Sequence, residues 1–142
     1  MHPTVTLVVL ASEDRARFLE SAGPGRGLIE VEAVAGVPRP VLDDREGRVA
    51  AGGGAHHALV PRTLPDEAHR ATFARHIVAA LVARVAAHPV DGLVLSAPAK
   101  MLGLLRADLP DTLRAMVVAD QPRDLVTVSA HDLPSHFPGV RL

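Results

Sequence analysis

The sequence contains no cysteine, tryptophan or tyrosine, and phenylalanine occurs only at Phe18, Phe73 and Phe137. Without thiols, neither a disulfide framework nor a zinc–thiolate centre can form. Three rings are too few for the aromatic platform on which single-stranded RNA stacks its bases. Lys100 is the only lysine and Gln121 the only glutamine. No apolar run approaches the ~20 residues needed to span a bilayer, so no membrane association is expected. The formal charge is -1, which gives the surface no bulk attraction for phosphate backbones and argues against specific DNA binding. The opening Met1-His2-Pro3-Thr4 carries no basic segment, and the apolar stretch from Val5 to Ala11 runs directly into Glu13-Asp14-Arg15. That is not the pattern of a signal peptide, and a cytoplasmic location is expected.

What is present reads as one α/β domain over residues 1–142. A chain of this size can bury roughly 68% of the surface its unfolded form exposes, enough for a core without cross-links. Thr4–Leu10 is rich in β-branched residues and too short for a helix, which predicts a buried strand. Ala16–Glu20 reads as a second strand, closed by Gly23-Pro24-Gly25. Leu28–Val34 alternates apolar and acidic residues and predicts a third strand with one wet face. Short spacings favour antiparallel pairing of the three.

From about residue 36 to 64 the pattern is irregular and glycine-containing, a long connection of the kind that is either flexible or functional. A helix follows over 66–88. Phe73, Ile77, Leu81 and Val85 recur every fourth residue, Asp66 and Glu67 suit its start, and Pro89 ends it. Gly92–Ser96 reads as a central strand, with a helix after Pro98 through Leu109. Pro110-Asp111 opens a short helix before a last strand at Ala115–Ala119. Ser129, three residues before Asp132, predicts a short terminal helix. Ser96, just ahead of Pro98, is expected to cap the helix that follows. The natural arrangement is a mixed β-sheet with flanking helices.

This order and its local motifs resemble the bacterial host-attachment protein family. The matching pieces are Asp44-Arg45-Glu46-Gly47-Arg48, Phe73-Ala74, Leu93-Val94-Leu95-Ser96-Ala97-Pro98, Leu102-Gly103-Leu104-Leu105-Arg106 and Arg123-Asp124-Leu125. The resemblance implies an RNase H-like topology, similar to the middle domain of archaeo-eukaryotic class 1 release factors. It also implies a ribosome-associated role, and the family name refers to attachment of bacteria to host cells. Release factors carry a Gly-Gly-Gln loop ahead of the long helix. The positional counterpart here, Gly52-Gly53-Gly54-Ala55-His56-His57, keeps the glycines and lacks the glutamine, so peptide release by that mechanism is not expected.

No catalytic constellation stands out. Nucleases of this topology place a carboxylate in the middle of the first strand to hold paired metal ions, where this chain has Leu7, Val8, Val9 and Leu10. His69 and His76 share a helix face but lie roughly 10.5 Å apart along the axis, too far to ligate one ion together. No serine lies in a Gly-x-Ser-x-Gly turn, and no Gly-Lys-Ser/Thr follows the glycine triplet as a phosphate loop requires. Neither cofactor nor metal is therefore expected. The candidate binding residues are Arg45, Arg48, Gly52, Gly53, Gly54, His56, His57 and Arg62 in the glycine loop, with Lys100 and Arg106 after the fourth strand, where a helix start can hold an anion. The leading expectation is a non-catalytic binding module for the ribosome or another RNA–protein complex. The alternatives are a hydrolase of peptidyl-tRNA or phosphoesters using the histidines, and a regulator acting indirectly on host attachment.

Overall fold

In a computed structural model of the chain, residues 4–36 and 63–142 are described. Their five strands form one sheet in the order β3-β2-β1-β4-β5. The strands are β1 (Thr6–Ala11), β2 (Arg15–Ser21), β3 (Leu28–Ala35), β4 (Gly92–Ser96) and β5 (Val117–Gln121). β2 pairs antiparallel with both β1 and β3, whereas β4 pairs parallel with β1 and β5 parallel with β4. The sheet is thus mixed, with three antiparallel strands in a row and two parallel additions, as the RNase H-like expectation required.

The two inner strands explain the centre of the fold. Every residue of β1 and of β4 is buried, and an apolar run this short, covered on both faces, is most stable as a central strand. Side chains alternate across β1, sending Leu7, Val9 and Ala11 into one core and Val8 and Leu10 into the other.

Helices cover the first core. α1 (Thr63–Ala87) and α2 (Ala99–Asp108) pack on this face, with α3 (Asp111–Arg114) leading back toward β5. From α1, Phe73, Ala74, Ile77, Val78 and Leu81 are buried, and α2 adds Met101, Leu102 and Leu105. Their burial contributes roughly 1.5–3 kcal/mol for each large apolar side chain.

The second core is covered quite differently. After β5 the chain crosses the opposite face in turns, and its only regular element is a 3₁₀ turn at Leu133–His136. Leu125, Val126, Leu133, Phe137 and Leu142 pack there against Val8, Leu10, Leu19 and Val94. The expected short terminal helix is reduced to this 3₁₀ turn. The backbone amides of Asp132 and Leu133 both donate to the Ser129 carbonyl, and Pro134, near the start of the 3₁₀ turn, has no amide hydrogen with which to propagate a helix.

Two further readings need correction. The last strand begins at Val117, two residues later than expected. Ala115 and Met116 instead close α3, their amides donating to the Asp111 and Leu113 carbonyls. Ser96 does not cap α2. That helix starts after Pro98 without any side-chain cap, and the fully buried Ser96 hydroxyl donates to the Arg123 carbonyl at 2.7 Å.

Candidate functional site

The parallel strands β1 and β4 end together, and several chemically useful groups gather at that end. β1 turns into β2 through Ser12-Glu13-Asp14-Arg15. The Ser12 hydroxyl donates to Asp14 Oδ1 at 2.8 Å, and the Ser12 amide donates to the Arg15 carbonyl at 2.8 Å. Serine at this position supplies local hydrogen bonds that tighten a two-residue turn.

β3 finishes beside the same turn. A Cβ added at Gly36 would collide with the Asp14 carbonyl, so only glycine lets the two backbones approach this closely. α1 starts at this end as well. Arg70 on its second turn donates from Nε to Glu13 Oε1 and Oε2 at 2.9 and 3.0 Å. The Arg70 side chain is 15% exposed and that of Glu13 38%. The pair therefore ties the helix start to the β1–β2 turn rather than presenting a free charge.

Lys100 stands on the first turn of α2, exposed to solvent. It borders a shallow depression of about 340 Å³ lined also by Glu67, Arg70, Gly103 and Leu104. Among the described residues it makes no hydrogen bond or ion pair. Arg106 is six residues further along, about 240° around the helix axis. It reaches β5, donating from Nε and Nη2 to Asp120 Oδ2 and Oδ1 at 2.8 and 2.7 Å. These bonds, chiefly, hold the Asp120 carboxyl below its ordinary value and raise the Arg106 guanidinium above its own; charge attraction adds to both shifts and partial burial opposes them. Lys100 and Arg106 thus occupy different faces of α2, and the structure does not bring them together.

The other sequence candidates, Arg45, Arg48, Gly52, Gly53, Gly54, His56, His57 and Arg62, lie outside the described residues. Both described flanks of that segment, Gly36 and Thr63, sit at the end of the sheet that carries Lys100.

Leu7, Val8, Val9 and Leu10 fill the middle of β1 and are buried, so no carboxylate projects from the position a two-metal nuclease uses. Among the described residues no group of three histidine, aspartate or glutamate side chains is placed to hold a metal ion. No helix among them is long and apolar enough to cross a membrane.

Sequence reasoning missed Arg17. Its side chain lies over the turn-rich face at 15% exposure, pairs with Glu30 through Nε at 2.8 Å, and donates from Nη1 to the Val126 and Val128 carbonyls at 2.7 and 2.8 Å. An arginine between two buried residues of a strand was the available signal, because a guanidinium in that position needs several acceptors.

The model of a family described as a protein required for attachment to host cells matches residues 7–137. The chain belongs to that family. No curated protein matches it in sequence. Among solved structures it is similar to an archaeal translation termination factor, aRF1, with a TM-score of 0.45 and 11% identity, over 86% of this chain and 32% of that one. It is similar also to a chain described as an archaeal protein, with a TM-score of 0.45 and 10% identity, over 84% of this chain and 30% of the other. This chain therefore spans about a third of the length of each.

Proposed function

We propose that this member of the host-attachment family is a non-catalytic binding module that engages the translation apparatus or another RNA–protein partner through the end of the sheet where β1 and β4 finish. One observation carries the reading. The unpartnered ammonium of Lys100 lies at the same end as the two flanks of segment 37–62, whose sequence holds Arg45, Arg48 and Arg62 together with Asp43, Asp44 and Glu46. An unpartnered cation on one end of a near-neutral protein offers a local attraction for phosphate that the net charge hides.

Co-sedimentation with ribosomes at low and moderate salt tests the proposal. The protein is expected in the ribosomal fraction at low salt and to leave it as salt screens the contacts. Lys100→Glu is expected to lower the bound fraction at low salt. Absence from the ribosomal fraction at both salt levels overturns the reading.

The family description supports a second reading, in which loss of the protein impairs attachment to host cells as a consequence of what the module binds. A hydrolase built on the loop histidines would rest on His56 and His57, which lie outside the described residues, and one built on Ser96 has no support. Ser96 is fully buried with its hydroxyl committed to the Arg123 carbonyl, which leaves it unable to meet a substrate ester.

A further inference from the structure

The face of the sheet turned away from the helices carries a second surface, beside the end where β3 finishes. β3 ends the sheet among the described residues. A bulge between Phe18 and Leu19 interrupts its pairing with β2, and the register then runs regularly from Glu32 opposite Phe18 to Ala35 opposite Arg15. Beside this stretch lies an open groove of about 580 Å³, with Ala33 and Ala35 among its lining residues and the 126–129 segment as one wall. Arg17 is the reason the groove exists. By holding the Val126 and Val128 carbonyls over β2, it stops the turn-rich cover one strand short of the sheet edge.

We propose that the β3 edge from Glu32 to Ala35, together with this groove, docks an extended peptide strand bearing an acidic side chain for Arg15 and a basic one for Glu32. Strand addition to an open edge draws its affinity from backbone hydrogen bonds and its specificity from alternate side chains. The charges here are arranged for that. Arg15 is exposed at the groove and has no partner among the described residues, whereas Arg17 and Glu30 already satisfy each other. Glu32 also has no described partner. It lies opposite Phe18, on the helical face with Val34, while Ala33 and Ala35 face the groove. Residues of an added strand opposite Glu32 and Ala35 are three positions apart and point to opposite faces, as those two sites do. A second copy pairing through its own β3 does not supply the complement, because Leu28–Ala35 contains two acids and no base, and like charges across a strand pair repel.

The test uses the isotopically labelled full chain and a blocked hexapeptide, acetyl-Thr-Lys-Val-Thr-Glu-Val-amide, followed by amide chemical shifts. Shifts confined to residues 15–17, 32–36 and 126–129 are expected. Exchanging the lysine and glutamate of the peptide is expected to weaken binding about two- to fivefold. Arg15→Glu, at an exposed position, is expected to do the same and to bind the exchanged peptide better than the unmodified chain does. A peptide with proline at its centre, unable to donate to the ladder, is expected not to bind. The proposal is overturned by shifts that are absent or lie elsewhere, by indifference to both charge exchanges, or by shifts at β3 that grow with protein concentration alone, which would identify a second copy as the occupant.

Discussion

The two faces of this sheet solve the same problem with different means. On one face, helices α1 and α2 satisfy their own backbone and need only present an apolar stripe to Leu7, Val9, Leu93 and Leu95. On the other, residues 122–142 lie across the sheet in turns, and much of their backbone cannot satisfy itself. The sheet and its margin supply partners instead. Arg17 bonds the Val126 and Val128 carbonyls, Ser96 the Arg123 carbonyl, and Gln121 the His136 carbonyl at 3.0 Å. The helical face is therefore held by apolar burial and the turn-rich face by a few side chains of particular reach. Polar residues on a core face are here part of the cover, not a site.

Three substitutions sharpen the contrast. Phe73→Ala removes a fully buried ring from the helical core and is expected to cost about 3–5 kcal/mol, read as a lower urea midpoint for the whole chain. Arg17→Met keeps the stem but strands two carbonyls and Glu30, and about 1–3 kcal/mol is expected. Its signature separates the faces: amide exchange across 125–133 should quicken while the amides of α1 stay protected. Equal loss of protection on both faces would dissolve the distinction.

The smallest effect is at the margin of the helical face. The Arg106–Asp120 side chains are 52% and 28% exposed, so solvent screening limits Asp120→Asn to about 1 kcal/mol or less at neutral pH. The Asp120 carboxyl is held below its ordinary value of 3.8 in the folded protein. The contribution of the pair is thus present above that value and lost as pH falls through the lower, folded one. Urea midpoints of Asp120→Asn and the unmodified chain should differ at pH 6 and converge in strong acid.

The same contrast explains what could be read in advance. Regular apolar spacing revealed α1 and β3, because burial against one face imposes it, whereas β1 and β4 showed as short apolar runs buried on both faces. The turn-rich cover carries no such spacing. Ser129 and Asp132 resemble a helix start and bond to each other at 3.1 Å, yet they close only a turn. Ser96 resembled a cap because serine before Xaa-Pro often is one, whereas its acceptor lies 27 residues away. At β5, an edge strand with exposed Val118 and Asp120, the apolar run Ala115–Ala119 straddles the end of a helix and the start of a strand. Lys100 and Arg106 were legible as cations near a helix start, but sequence spacing could not show that Asp120 already holds one of them.

Gly36 meets the β1–β2 turn, and α1 departs from the same rim of the sheet. The intervening 26 residues are anchored to a common base, and the entropy of closing such a connection rises only with the logarithm of its length. Doubling it would cost about 0.6 kcal/mol. Changes in the length of this stretch are therefore expected to cost the five-stranded body little stability.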